Sequence, residues 1–321
     1  LVGSEMCIRD SNCIVNYYNG LNTASNIYYH DLNLTNGAGD NSYRYAGASD
    51  AVNNYVCFGS NVTPCPADNL YRIIGVFGDK VKLIKADYAT SALLGADGDY
   101  SKMYTANNLD NSSYKGNNLA NIAAYTWNYK NNTTINSGYG SNTWSTSLLN
   151  KTNLNQNFIT NIGAEWANKI DMTTWKVGGN TWANIGTQPA KTAYQNEIVS
   201  PVTTNTTDNA TDYSAKVGLM YVSDYMYAAP QDKWTLVGYN SDASKDYRAA
   251  TSVNWMYMGL YEWTISRNAS FGISVFNVNG TGNVYYDKAN NMFAVRPVFS
   301  LTSSVNYASG SGTAADPILV N

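Results

Sequence analysis

At 321 residues with 44% hydrophobic content the chain can bury a full core, as one large domain or two small ones, which argues against disorder throughout. Only 13% of residues are charged while 27 are Tyr and 25 Gly, so solubility rests on amides and hydroxyls. The net charge of −3 supplies no basic field for phosphate and argues against nucleic acid or another polyanion as partner.

Residues 1–11, LVGSEMCIRDS, resemble the peptide obtained when a sequencing adaptor is translated in a metagenomic assembly. They are expected not to be protein, so Cys7 leaves the cysteine count and the natural start of the chain is missing. Elsewhere no stretch approaches the ~20 apolar residues that cross a bilayer. From 12 to 54 the sequence is polar and turn-rich, and it reads as an N-terminal wrap or linker anchored by Tyr28, Tyr29, Tyr43 and Tyr45. His30, the single histidine, reads as a satisfied surface imidazole. Asp31, Asn33, Thr35 and Asp40 are spaced loosely like a calcium loop, but Gly37 falls one place late, so no cofactor is expected and calcium is a minor alternative.

The domain proper is expected over 55–321. Cys57 and Cys65 flank FGSNVTP, whose Gly59, Asn61 and Pro64 let the loop close, so a disulfide and an oxidising compartment are expected. No CxxC pair is present, and with one His the chain offers no local zinc or thioredoxin-type motif. Leu70 to Phe77 and Lys80 to Ala86 flank Gly78-Asp79, the clearest hairpin in the chain, and should lie at the centre of the fold. Residues 88–143 read as long exposed loops, with Asp97 and Asp99 in a solvated turn.

The spacing predicts helix between Thr146 and Ile170, with Leu148, Leu149, Leu154, Phe158, Ile159, Ile162, Trp166 and Ile170 as its core stripe and Gly163 as its weak link. Thr173 to Val177 reads as a strand, Ala190 to Val199 as a helix stopped by Pro201, and TTNTTDNATD at 203–212 as a loop. Sequons there and at Asn61, Asn111 and Asn268 are what an Asn- and Thr-rich chain makes by chance. Lys216 to Val222 should be a strand, with Ser223 capping the helical turn that follows, and 231–253 a polar loop.

The stretch from Asn254 to Leu301 is the most regular. Trp263 to Ser266, Phe271 to Val278, Asn283 to Tyr286 and Ala294 to Leu301 read as strands of one C-terminal antiparallel sheet. Alternation slips at Val275-Phe276, which predicts a bulge or a strand covered on both faces. Glu262 and Arg296 each sit in an apolar stretch, and buried charges must be paired, so they are expected to form an ion pair tying the first and last of these strands, beside Trp263. Arg267 reads as exposed and available to a ligand.

No GxSxG, Walker loop, HExxH or dinucleotide fingerprint is present, which favours a non-enzyme. Abundant Tyr and Trp with Asn and Ser suit a binding face for glycans or a protein, with candidate contacts Tyr225, Tyr227, Tyr257, Arg267, Asn268, Asn277, Asn279 and Tyr285. The alternatives are a structural subunit of a pilus-like or surface-layer assembly, and a carbohydrate-active hydrolase using paired carboxylates from distant Asp and Glu.

EWT at 262–264 followed by AVRPV at 294–298 resembles the C-terminal signature of the formylglycine-generating-enzyme and C-type-lectin-like superfamily. NLYRIIGVFGD, TTWKVGGN, GLMYVSD and the closing SGSGTAADPI extend a similarity to an uncharacterised family of bacterial surface proteins over Tyr28 to Asp316. The resemblance implies an α+β fold of irregular antiparallel sheets, a few packed helices and long loops, lectin-like or sulfatase-modifying-factor-like. It also implies an extracellular or surface-anchored bacterial protein, whose missing start would carry a membrane or pilus anchor. The oxidase branch uses a pair of cysteines near the C-terminal region, and this chain has none after Cys65, so that activity does not carry over.

Overall fold

The computed structural model describes residues 26–104, 112–129, 138–203 and 210–321. Expectations for residues 1–25 with Cys7 and Cys13, for the runs 105–111 and 130–137 with the Asn111 sequon, and for most of TTNTTDNATD lie outside them. The first strands are β1 (Ile27–Tyr29), β2 (Tyr43–Tyr45), β3 (Tyr55–Cys57), β4 (Leu70–Phe77), β5 (Lys80–Lys85), β6 (Tyr100–Met103) and β7 (Ala123–Thr126). Then come β8 (Thr173–Lys176), β9 (Gly179–Asn180), β10 (Asp212–Ala215) and β11 (Val217–Gly218). The C-terminal part adds β12 (Glu262–Asn268), β13 (Ser274–Val278), β14 (Val284–Lys288), β15 (Met292–Phe293), β16 (Val298–Ser300), β17 (Tyr307–Ser309) and β18 (Ile318–Val320). Helices are short, so the chain is α+β with sheets predominating, and no described helix is long and apolar enough to cross a membrane.

The β4–β5 hairpin turns at Gly78, whose φ of 62° suits a two-residue loop, and it lies in the middle of a nine-stranded sheet ordered β11-β16-β5-β4-β3-β18-β17. Its Ile73, Val76, Leu83 and Ile84 are buried, so the hairpin is covered on both faces. Strand β2 also pairs with β4, and β1 with β2, so the described part of the polar N-terminal segment is built into the sheet rather than wrapped over it. Gly75 is what permits this. A Cβ there would lie 2.1 Å from the Tyr43 carbonyl oxygen. Cys57, closing β3, is disulfide-bonded to Cys65 with Cα atoms 5.9 Å apart.

His30 is not at the surface. It is fully buried, with its ring 4.7 Å from Tyr227 and 4.8 Å from Trp234, and its Nδ1 accepts the Ala38 N–H at 3.1 Å. Burial, and then the Arg44 guanidinium, push its pKa down to about 2, so the imidazole is neutral. The carboxylates of Asp31 and Asp40 have partners within the chain. Asp31 accepts the N–H groups of Asn33 and Leu34, and Asp40 pairs with Arg44 at 2.6 Å.

Residues 88–143 are not wholly loop, since β6 and β7 form a three-stranded sheet with β15 and bury Tyr104, Tyr125 and Trp127. Asp99 is buried rather than solvated. Its carboxylate accepts the N–H groups of Leu148 and Leu149 at 2.9 Å and of Tyr129 at 3.1 Å, capping the helix that follows. That helix is π-wound over Leu149–Phe158, continues as Ile159–Asn161, breaks at Gly163 (φ 82°) and resumes at Ala164–Ala167. Of its stripe Leu149, Leu154, Phe158, Ile162 and Trp166, extended by Ile170, enter the core, whereas Leu148 is exposed and Ile159 half-buried. The expected strand at 216–222 shortens to β11, and Ser223 lies inside the helix Val222–Tyr227 instead of capping it. The Val222 and Ser223 N–H groups at that helix start are taken by the Glu197 carboxylate. In the 231–253 segment Trp234 and Tyr247 are buried.

Strands β12, β13 and β14 form the expected antiparallel sheet, extended by β9 running parallel to β12. The slip falls on β12. Trp263 pairs with Asn277 and Arg267 with Val275, leaving extra β12 residues opposite Phe276, and β13 is covered on both faces. Residues 294–301 do not complete this sheet. Ala294 still bridges Glu262, but the chain crosses over at Arg296-Pro297, where proline has no N–H to continue the ladder, and β16 pairs with β5. Glu262 and Arg296 therefore tie two sheets together instead of two strands of one. Arg296 reaches Glu262 through Nε and Nη2 at 2.7 and 2.8 Å, both side chains being buried. Burial lifts the Glu262 carboxyl above its ordinary value in spite of the guanidinium, whereas Glu262 holds Arg296 charged in spite of burial. The bidentate geometry and the basicity of guanidinium make this an ion pair.

Candidate binding surface

Six of the eight predicted contacts lie inside the protein. Tyr225, Tyr227, Tyr257, Arg267, Asn268 and Asn277 are buried. The tyrosine hydroxyls are spent on carbonyls: Tyr225 on Gly282 at 2.6 Å, Tyr257 on Gly280 at 2.5 Å and Tyr227 on Asn36 at 3.1 Å. Two of them thereby clamp the turn between β13 and β14. Arg267, expected to be exposed, is 1% exposed and donates to the Ala210 carbonyl at 2.6 Å, because β9 covers the end of β12. Asn268 accepts the Ser270 N–H and Asn277 donates to Asp287. Trp263 is also buried, its Nε1 donating to the Tyr125 carbonyl at 2.9 Å.

Asn279 and Tyr285 do reach the surface, and they stand beside residues that sequence reasoning passed over. Strand β14 is the edge of its sheet, and the start of the helix Trp182–Thr187 lies against it. Thr181 caps that helix by accepting the Asn184 N–H at 3.2 Å. One turn on, Gly186 leaves room for the Trp182 ring, since a Cβ there would come within 2.9 Å of the indole. Trp182 is held by its own helix and faces Tyr285 at 4.9 Å and Tyr286 at 5.1 Å between ring centres.

The rings form a continuous ridge. Phe271 lies 5.9 Å from Tyr286, Tyr286 stacks on Tyr285 at 5.1 Å and 7°, and Tyr239 stands 5.4 Å from Tyr285 and 5.7 Å from Trp182. Successive strand residues point to opposite faces, so two adjacent tyrosines with parallel rings must fold around the open edge of β14. Phe271 is 50% exposed and Tyr239 37%. Of the eight tryptophans, all within the described residues, Trp182 alone is not buried.

Next to the ridge is a shallow hollow of about 440 Å³ lined by Tyr239, Tyr261, Asn279, Tyr285, Asp287, Asn291 and Phe293. Asp287 is its one carboxylate, held at 3.0 Å by the amides of both Asn277 and Asn291. Burial raises its pKa above the ordinary aspartate value, against the pull of those amides. Burial likewise raises the Tyr285 phenol, helped by Tyr286, so it stays protonated as a donor at neutral pH. The Asn279 Oδ1 is enclosed without a hydrogen-bond partner among the described residues. Flat rings, a fixed carboxylate and amides are groups that hold a polyhydroxylated ring, stacking its C–H face and bonding its hydroxyls. A lone carboxylate does not supply the facing pair that glycoside hydrolysis uses.

Comparison of the chain with protein-family models, with curated proteins and with solved structures finds no match in any of the three. The consecutive Tyr285-Tyr286 on a predicted strand was the available signal, since alternation forces one of the two away from the core. Nothing local marked Trp182 as the tryptophan left half-buried.

Proposed function

We propose that this chain is a non-enzymatic binding protein that holds glycans on the ridge of Phe271, Tyr286, Tyr285, Trp182 and Tyr239, with Asp287 and Asn279 taking hydroxyls in the hollow beside it. The carrying observation is Trp182, left half-buried beside the exposed rings by a chain that buries its other seven tryptophans. Five neighbouring rings, two of them exposed and three half-buried, form an apolar face of the kind that marks interaction sites. The reading extends to a lectin-like scaffold at the bacterial cell surface, which the EWT and AVRPV stretches and their buried Glu262–Arg296 pair support. The Cys57–Cys65 bond supports an oxidising compartment.

A glycan array probed with the chain and with a Trp182→Ala, Tyr285→Ala double variant tests this. Selective glycan binding should weaken at least tenfold in the variant, equivalent to about 1.4 kcal/mol. Binding unchanged in a folded variant, or no glycan held above background by the parent chain, would count against it, the latter turning attention to a protein ligand on the same ridge.

A further inference from the structure

A second concavity, away from the ridge, is built around buried charge. Arg44 on β2 gives Nη2 to Asp40 at 2.6 Å, Nη1 to Asp224 at 3.4 Å and Nε to Ser42 at 2.8 Å. Lys82 on β5 gives its Nζ to the other oxygen of Asp224 at 2.5 Å. Arg44, Lys82 and Asp224 are each less than a tenth exposed. Aromatic rings enclose the cations. Phe77, Tyr227 and Tyr194 stand 4.6, 5.1 and 5.4 Å from the guanidinium, and Tyr221, Phe77 and Trp175 stand 4.8, 5.2 and 5.8 Å from the ammonium.

These groups border a cavity of about 250 Å³ that also takes in Thr173, Thr174, Lys176 and Ser300. Its carboxylates are already well supplied. Asp224 accepts from Arg44, from Lys82 and from the Tyr221 N–H, and Asp40 accepts from Arg44 and from the N–H and hydroxyl of Ser42. An ammonium has three donors, and Lys82 gives one to Asp224. Of the three cations along the space, Arg44 and Lys82 are paired with Asp40 and Asp224, and Lys176 at the rim with Asp212 at 2.6 Å, which leaves the unspent donors of Lys82 as the groups turned to a ligand. Burial lowers the pKa of Lys82, helped by Arg44, and Asp224 and then Glu197 offset this only in part. Buried, paired charge beside a ring-walled cavity is costly for folding alone, which is why such places serve as binding sites.

We propose that this cavity binds a compact hydroxylated carboxylate the size of one acidic sugar ring, independently of the aromatic ridge. The carboxylate lies against Lys82, the ring against Trp175 and Tyr221, and the hydroxyls meet Thr173, Thr174 and Ser300. The volume sets the size, being below the roughly 300–1,000 Å³ of pockets for drug-sized ligands.

Calorimetric titration with glucuronate, glucose and acetate tests the site. Glucuronate should bind saturably, with glucose and acetate each at least tenfold weaker. Lys82→Met, which keeps the length of the side chain, should cost at least tenfold, and Lys176→Gln, at the more exposed rim, several-fold without affecting the fold. The Trp182→Ala, Tyr285→Ala variant should bind glucuronate as the parent does, which separates this site from the ridge. Equal binding of glucose, no saturable binding of glucuronate, or a Lys176→Gln chain and a folded Lys82→Met chain that both bind undiminished would each overturn the proposal.

Discussion

Replacing His30 with Asn should change how stability depends on pH. The Asn side chain keeps an acceptor for the Ala38 N–H that Nδ1 now takes at 3.1 Å. In the folded chain burial and Arg44 hold the His30 pKa down at about 2, against 6.5 for an ordinary histidine. Its contribution is therefore fully present above 6.5 and is lost as pH falls toward about 2, because the unfolded chain takes up a proton that the folded chain refuses. Each pH unit in that window is worth about 1.4 kcal/mol, so the fall from roughly pH 7.5 to pH 5 removes about 2 kcal/mol. Glu197 acts in the opposite sense. Burial raises its carboxyl from 4.5 to about 7, so its contribution is full below 4.5 and lost as pH rises through 7. The parent curve thus flattens, and the difference between parent and variant isolates His30, the single histidine in the chain. Guanidinium unfolding followed by tryptophan fluorescence at several pH values should show the parent's stability relative to His30→Asn falling by about 2 kcal/mol over that range. A difference that stays constant with pH would mean that His30 titrates in the folded protein, and the burial argument would be wrong.

Glu262→Gln should destabilise the fold by about 3–5 kcal/mol, because it leaves Arg296 charged and buried without its counter-ion, while adding Arg296→Met should recover part of the loss. A Glu262→Gln chain within about 1 kcal/mol of the parent in urea unfolding would refute the pairing's importance. Asp99→Ala should cost about 1–3 kcal/mol by leaving the Leu148, Leu149 and Tyr129 N–H groups without their acceptor. Hydrogen exchange should quicken first at the start of the Leu149–Phe158 helix, and protection unchanged there would remove Asp99 as its cap.

Signals that act over a few residues were legible in the sequence. The β4–β5 hairpin, the Cys57–Cys65 loop, the helix break at Gly163 and the apolar stripe of Leu154, Phe158, Ile162 and Trp166 follow from local turn chemistry and periodicity. The pairing of Glu262 with Arg296 was legible for a different reason. Two charges in apolar surroundings have few ways to be satisfied other than each other.

What covers a residue is decided by chain far away, and there the sequence misled. Arg267 is buried because β9 and the Ala210 carbonyl, 57 residues distant, close over it, and His30 because Tyr227 and Trp234 fold onto it. The partner of β16 is another case, since its residues read as a strand whether they pair with β12 or, as they do, with β5. Chain periodicity determined that these segments would be strands, because alternation of side chains is a property of the backbone itself. Which edge remained open, and so which tryptophan stayed only half-buried beside Tyr285 and Tyr286, was decided only by tertiary packing, because burial depends on which distant surfaces meet and leaves no period along the chain.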